Sequence, residues 1–146
     1  MDHMNTFTYP IELSKQPEGG YLVLFPDFPE AITQGESKSE AIEEAADCLE
    51  EAIANRIEMK LEIPHGIKVG KNQLSVSITA TLAAKAALYL TIKKEKLTNT
   101  SLAKKLNCDE KEIRRLLDPH FKSKIPRIEQ VLHQLGQKLE IGFSSL

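Results

Sequence analysis

The sequence predicts an α+β protein, with a β-β-β-α-β unit in residues 1–79 and a mostly helical unit in residues 80–146 that ends in a strand. Three observations predict this class. Apolar and polar residues alternate before residue 35 and again near residue 76, as half-buried strands require. Helical spacing of Ala and Leu dominates residues 81–135. The net charge also changes sign between the two halves, which indicates two distinct surfaces. A chain of 146 residues is long enough for two modest cores.

The first part of the chain predicts three strands. Residues 7–13 alternate apolar with polar side chains, and Pro10 puts this strand at an edge or makes it irregular. A turn at 16–20, which contains Pro and Gly, separates it from the apolar run 21–25, so the two form a hairpin. A short third strand is predicted over 31–34.

A long helix follows these strands. Ser37 and Glu40 have the spacing of a capping box, in which the Glu40 side chain reaches back to the backbone N–H of Ser37. The apolar face of the helix consists of Ala41, Ile42, Ala45, Ala46, Leu49, Ala52, Ile53 and Ile57. Its other face carries Glu43, Glu44, Asp47, Glu50 and Glu51. Residues 74–78 alternate again and predict the last strand of this unit.

The second half of the chain predicts four helices and a strand. The helices are predicted over 81–96, 100–106, 109–117 and 124–135, and the strand contains Leu139, Ile141 and Phe143. A lone strand must pair its backbone somewhere. It either returns to the sheet of the first unit or pairs with its copy in another chain, and we favour the second arrangement, which implies a dimer.

Charge indicates two kinds of partner. Residues 1–72 contain 14 Asp and Glu against 6 Lys and Arg, whereas residues 73–146 contain 7 against 13. This asymmetry predicts a cationic partner for the first unit and a polyanion for the second. In the first unit, Leu24 and Phe28 are candidate apolar anchors for the partner that the acidic helix attracts. Phe28 can equally be a buried cap on the hairpin.

The most specific local pattern is that of a helix-turn-helix. Ala103 is small where two helices would cross, and Asn107 occupies the turn position that needs a left-handed backbone. The second helix would present its N-terminal residues to base edges, and neighbouring cations would contact phosphates. A structural three-helix unit with a solvated basic face is the alternative. The predicted DNA-binding residues are Thr100, Ser101, Lys104, Asp109, Glu110, Lys111, Arg114, Arg115, Lys122 and Lys124.

Catalytic chemistry is not predicted. The four histidines and two cysteines lack metal-ligand spacing, and no nucleophile or phosphate-loop motif is present. Asp27 is a single loop acid, whereas two-metal nucleic-acid hydrolysis needs several. We therefore expect a protein that is not an enzyme, has no cofactor and no catalytic or metal-binding residues, and lies in the cytoplasm without a membrane span.

Two stretches closely resemble the HicB antitoxin family. The first is the run Tyr21–Gly35, with its Phe-Pro-Asp-Phe-Pro-Glu-Ala sequence, followed by the capping box and acidic helix. The second extends from Leu82 through Asp118 to Glu140, and together they cover most of residues 7–143. One departure is that Asn107 stands where many relatives have Gly.

The resemblance implies a partial ribonuclease-H-like domain in residues 1–79, which would bind and neutralise a HicA-type toxin, a small basic ribonuclease that cleaves mRNA. It implies a helix-turn-helix domain in residues 80–146 for binding operator DNA and for dimerisation, as a homodimer or a higher even oligomer that represses its own operon. The expected toxin-binding residues are Leu24, Asp27, Phe28, Glu43, Glu44, Asp47, Glu50 and Glu51.

Two other functions stay open on the sequence alone. One is a stand-alone helix-turn-helix transcription regulator whose first domain senses a ligand or protein. The other is a residual ribonuclease-H-like nuclease that uses Asp27 with Glu43 or Asp47.

Overall fold

The structure, a computed structural model, describes residues 4–66 and 70–145. Over these residues the chain order is four strands, one helix, one strand and four helices, so the predicted mixture of α and β structure is confirmed. The chain divides into two compact units, Met1–Thr79 and Ala80–Leu146, which we call unit 1 and unit 2.

Unit 1 is built from two antiparallel sheets and helix α1 (Lys38–Glu58). The shorter sheet pairs the first strand with the last, and the other contains the second, third and fourth strands in that order. Helix α1 packs against the third, fourth and fifth strands. The strands are β1 (Thr8–Pro10), β2 (Glu12–Lys15), β3 (Tyr21–Leu24), β4 (Ile32–Gly35) and β5 (Ser75–Ser77).

The single strand predicted over residues 7–13 is wrong, because the chain is divided there. Strand β1 ends at Pro10, which has no N–H to donate to a ladder, and β2 begins at Glu12. Between them the N–H of Ile11 donates to the carbonyl of Leu74 at 3.0 Å. The N-terminal segment thus contributes to both sheets.

Aromatic rings form the centre of the unit 1 core. Tyr9 and Phe28 are both 0% exposed and meet edge to face, with ring centroids 4.9 Å apart. The Tyr9 hydroxyl donates to the carbonyl of Pro64 at 2.7 Å, so its buried polar atom is satisfied. Burial, with a smaller contribution from the charge of Asp27, raises the pKa of Tyr9.

All the regular secondary structure in the described residues of unit 2 is helical. Its core consists of apolar side chains from all the helices, and α2 packs against α4 and α5 while α3 packs against α4. Ala103 is buried in this core, as its small size predicts. The helices are α2 (Ala80–Glu95), α3 (Asn99–Leu106), α4 (Glu110–Leu117) and α5 (Ile125–Gln134).

The C-terminal strand is not formed in the described part of the single chain. Residues 137–145 have no strand assignment, and both sheets consist of strands from residues 8–77. The predicted C-terminal strand is therefore wrong for the described residues, and the favoured pairing of this segment with a second copy stays a prediction. Leu139 packs against the helical core, whereas Ile141 and Phe143 are 75% and 103% exposed.

No helix in residues 4–66 and 70–145 is long and apolar enough to cross a membrane.

Candidate functional sites

The exposed face of α1 carries a row of carboxylates. Helical spacing places Glu43, Glu44, Asp47 and Glu51 together, and all four side chains are exposed. The opposite face buries residues such as Ala45, Leu49 and Ile53, which fixes the acidic side outward. We call these four residues the acidic stripe.

Glu50 does not belong to this stripe. It is half-buried, and its two carboxylate oxygens accept hydrogen bonds from Thr79, at 2.7 Å from the backbone N–H and 3.1 Å from the hydroxyl. The sequence grouped Glu50 with its neighbours because all five are acidic. The structure instead gives it a local role at the last residue of unit 1.

The end of β3 and the loop after it contain the other predicted toxin contacts. Leu24 is half-buried and lines a shallow cleft together with Pro26 and Pro29. Asp27 is also half-buried, and its Oδ2 atom is buried without a hydrogen-bond partner in the described residues. Phe28 is 0% exposed, so it is the buried cap on the hairpin, and its expected role as a surface anchor is wrong.

Arg56 organises this loop and was not anticipated from the sequence. Its guanidinium lies 4.5 Å from the centroid of the Phe28 ring and donates to both carboxylate oxygens of Glu30, at 2.7 and 2.8 Å. The same side chain donates to the carbonyl of Glu62 at 3.1 Å. The hydrogen bond from Arg56 holds the pKa of Glu30 below its usual value. A bidentate pair of this kind fixes geometry as well as charge.

In unit 2, α3 and α4 are joined by a tight three-residue turn. Asn107 adopts the predicted left-handed conformation, with φ 54° and ψ 50°, and its N–H bonds to carbonyls in the last turn of α3. Asp109 caps α4 by accepting a hydrogen bond from the N–H of Glu112 at 2.8 Å. Asn thus performs the function that Gly has at many such turns.

Several side chains that were predicted to contact DNA form hydrogen bonds within unit 2 instead. Thr98 and Ser101 form a reciprocal capping box at the start of α3. The hydroxyl of Thr100 donates to a carboxylate oxygen of Glu110 at 3.2 Å, which links the starts of α3 and α4. Asp109 is committed to its cap. The acidic residues beside the basic surface thus have structural partners: Glu110 accepts from Thr100, and Asp109 accepts from the N–H of Glu112.

The cationic members of the predicted site are all exposed. Arg114 and Arg115 lie in the last turn of α4, which is where cations interact favourably with the helix dipole. Arg127, by contrast, is paired with Glu112 at 2.6 Å and so ties α5 to α4. The exposed cations of the predicted DNA site are Lys104, Lys111, Arg114, Arg115, Lys122 and Lys124.

Comparison with known proteins identifies a family that the chain matches. A family described as "HicB_like antitoxin of bacterial toxin-antitoxin system" matches residues 8–87. The chain is 33% identical over 133 residues to "Antitoxin HicB" of Escherichia coli strain K12, which covers 91% of this chain and 96% of that protein.

The chain belongs to the HicB-like antitoxin family.

Other HicB proteins give similar values. "Antitoxin HicB 1" of Photorhabdus laumondii is 34% identical over 134 residues, which is 92% of this chain and 85% of that protein. "Antitoxin HicB" of Pseudomonas fluorescens is 28% identical over 135 residues, or 91% of each chain. The similarity to HicB proteins therefore extends through both units.

HicB relatives are named as antitoxins, and their names describe no enzyme. In the described ranges, no three His, Cys, Asp or Glu side chains are grouped so as to hold a metal ion.

Proposed function

We propose that this HicB-like protein binds and neutralises a HicA-type toxin through unit 1 and represses its own operon through unit 2. The observation that carries the proposal is the family match, which extends over most of the chain. The opposite charges of the two halves support a division of labour between a basic protein and DNA.

The acidic stripe is the proposed attraction surface for the toxin. Four exposed carboxylates on one face of α1 raise the encounter rate with a basic protein and exclude acidic competitors. Leu24 and the cleft beside it supply apolar area, and Asp27, half-buried in the loop that follows, is the remaining proposed contact.

Charge reversal of the stripe tests this role. We expect Glu43→Lys, Glu44→Lys, Asp47→Lys and Glu51→Lys together to slow association with the toxin by about 10–10³-fold at low salt, because steering by opposite charge is lost. Stopped-flow mixing of the two purified proteins at low salt measures the association rate. Co-expression with the small adjacent gene product, followed by size exclusion and a growth assay, measures neutralisation. Reversal of Glu95 and Glu129, exposed acids of unit 2, is the control. Equal neutralisation by both variants contradicts the stripe's role.

We further propose that α3 and α4 form a helix-turn-helix and that α4 is its recognition helix. The support is the three-residue turn at Asn107 and the exposed cations that follow it. Two copies of the chain would bind the operator as a dimer, since one recognition helix buries too little surface for tight specific binding.

Arg114 and Arg115 test the DNA-binding proposal. Each change to Ala is expected to weaken binding to the chain's own promoter DNA by about tenfold, because a phosphate or base contact is lost. Toxin neutralisation should be unchanged. Lys38→Ala, which removes an exposed cation from unit 1, is the matched control. Promoter binding that survives both arginine changes contradicts the assignment, and promoter binding without any toxin partner favours a stand-alone regulator.

A further inference from the structure

Lys85 is a buried charged residue in the middle of α2. Its side chain is 1% exposed, which is unusual for a lysine because burial of an unpaired ammonium is costly. The Nζ atom donates to the carbonyl of Arg115 at 2.9 Å and to the carbonyl of Asp118 at 2.6 Å. Both carbonyls lie at the C-terminal end of α4. The carbonyl of Arg115 also accepts from the N–H of Asp118 at 3.3 Å and that of Asp118 from the N–H of Phe121 at 3.2 Å, so Lys85 adds a charged donor to a turn that backbone groups already close.

The same ammonium is linked to an exposed part of the proposed DNA surface. Lys85 Nζ lies 5.7 Å from the centroid of the Phe121 ring, and Arg115 Cζ lies 5.4 Å from that centroid. Phe121 is 42% exposed. The turn that carries it is closed by the hydrogen bond from the Phe121 N–H to the carbonyl of Asp118 at 3.2 Å. Lys85 therefore contacts the end of α4, the following turn and the ring beside Arg115.

The energetics suggest that Lys85 has more than a packing role. Burial lowers the pKa of Lys85 to about 8, while the negative charge of Asp118 opposes this fall. An apolar side chain of similar volume would fill the same space without the desolvation cost. What an apolar side chain cannot provide is two hydrogen bonds to the carbonyls at the end of α4 together with a cation near the Phe121 ring.

We infer that Lys85 is a positioning residue for DNA binding, which fixes the C-terminal end of α4 and the Phe121 turn so that the Arg115 guanidinium can contact a phosphate. The inference rests on the proposed function of unit 2. Lys85 itself is too deeply buried to reach DNA, so any effect that it has on phosphate contacts is indirect.

The test is the salt dependence of binding by the full-length chain. A labelled duplex from the DNA upstream of its own reading frame is titrated between about 50 and 200 mM salt. We expect Lys85→Met to weaken binding on the order of tenfold and to reduce the slope of log K against log salt by about one, because one phosphate contact is lost. A general loss of folded protein would lower the apparent affinity but leave the slope unchanged.

Four further variants make the result specific. Arg115→Gln should give the same reduced slope, and the double variant with Lys85→Met should reduce it no further. Phe121→Leu, a change at a 42% exposed position, should also reduce the slope, which keeps the inference testable if Lys85→Met does not fold. Thr91→Val removes the hydroxyl that donates to the carbonyl of Ala87 in the same helix, and should leave the slope unchanged.

The outcomes separate the inference from the proposed function. An unchanged slope in folded Lys85→Met, or in Phe121→Leu, overturns the positioning role while DNA binding stands. A wild-type chain that binds no promoter duplex overturns the proposed operator binding and the inference with it.

Discussion

Gly35→Ala is expected to destabilise unit 1 by about 3 kcal/mol, the upper part of the usual range for overpacking. A Cβ atom at Gly35 would lie 2.4 Å from the backbone N of Ala41 and 2.7 Å from its Cα. These are backbone atoms in the first turn of α1, so no flexible side chain can move aside. Strand β4 and helix α1 would have to separate. For a unit of this size, the midpoint of thermal unfolding should fall by roughly 12–24 °C.

Gly70→Ala is the matched control for this change. A Cβ atom there would meet nothing within 4 Å, so we expect a change within about 0.5 kcal/mol. Urea unfolding followed by circular dichroism measures both variants. A Gly35→Ala protein as stable as the Gly70→Ala protein would show that β4 and α1 can be moved apart at little cost.

Ile141→Asp together with Phe143→Asp is expected to produce a monomer that has lost specific operator binding. Both side chains are exposed in the single chain, and they alternate with Glu140 and Gly142 as on one face of a strand. We propose that this face is covered when two copies pair their C-terminal segments. Without the dimer, affinity for the operator should fall by about 10³-fold, toward the level of non-specific binding.

Sedimentation and promoter binding measure the two effects on the same samples. Ser144→Asp introduces a similar charge on the other face of the segment and should leave the dimer intact. A dimer that persists after Ile141→Asp and Phe143→Asp would assign the interface to another part of the chain.

Local patterns predicted most helices and strands because their causes are local. The capping residue Ser37, the Asn107 turn and the spacing of buried side chains in α1 all act within a few residues of the feature that they specify. The first strand was predicted as one element because alternation continues through it. Its division at Ile11 depends on a hydrogen bond to Leu74, far away in the sequence.

The candidate sites were predictable only where exposure follows from helical spacing. The acidic stripe and the arginines of α4 are on the faces that periodicity assigns to solvent. The contacts of Phe28 with Arg56, of Glu50 with Thr79 and of Lys85 with Asp118 join residues about 30 positions apart. No local pattern specifies such partners, so a charged residue that is buried or bonded looks the same in sequence as one that is free.

The pairing of β1 with β5 has a consequence for the order of folding. Thr8 and Ser77 are 69 positions apart, and their hydroxyl groups are hydrogen-bonded at 2.7 Å. Forming a contact across so long a loop costs more conformational entropy than forming the hairpin or α1, whose contacts lie within short segments of the chain. We therefore expect the two ends of unit 1 to pair last during synthesis, because β1 has no partner until Ser77 has been made.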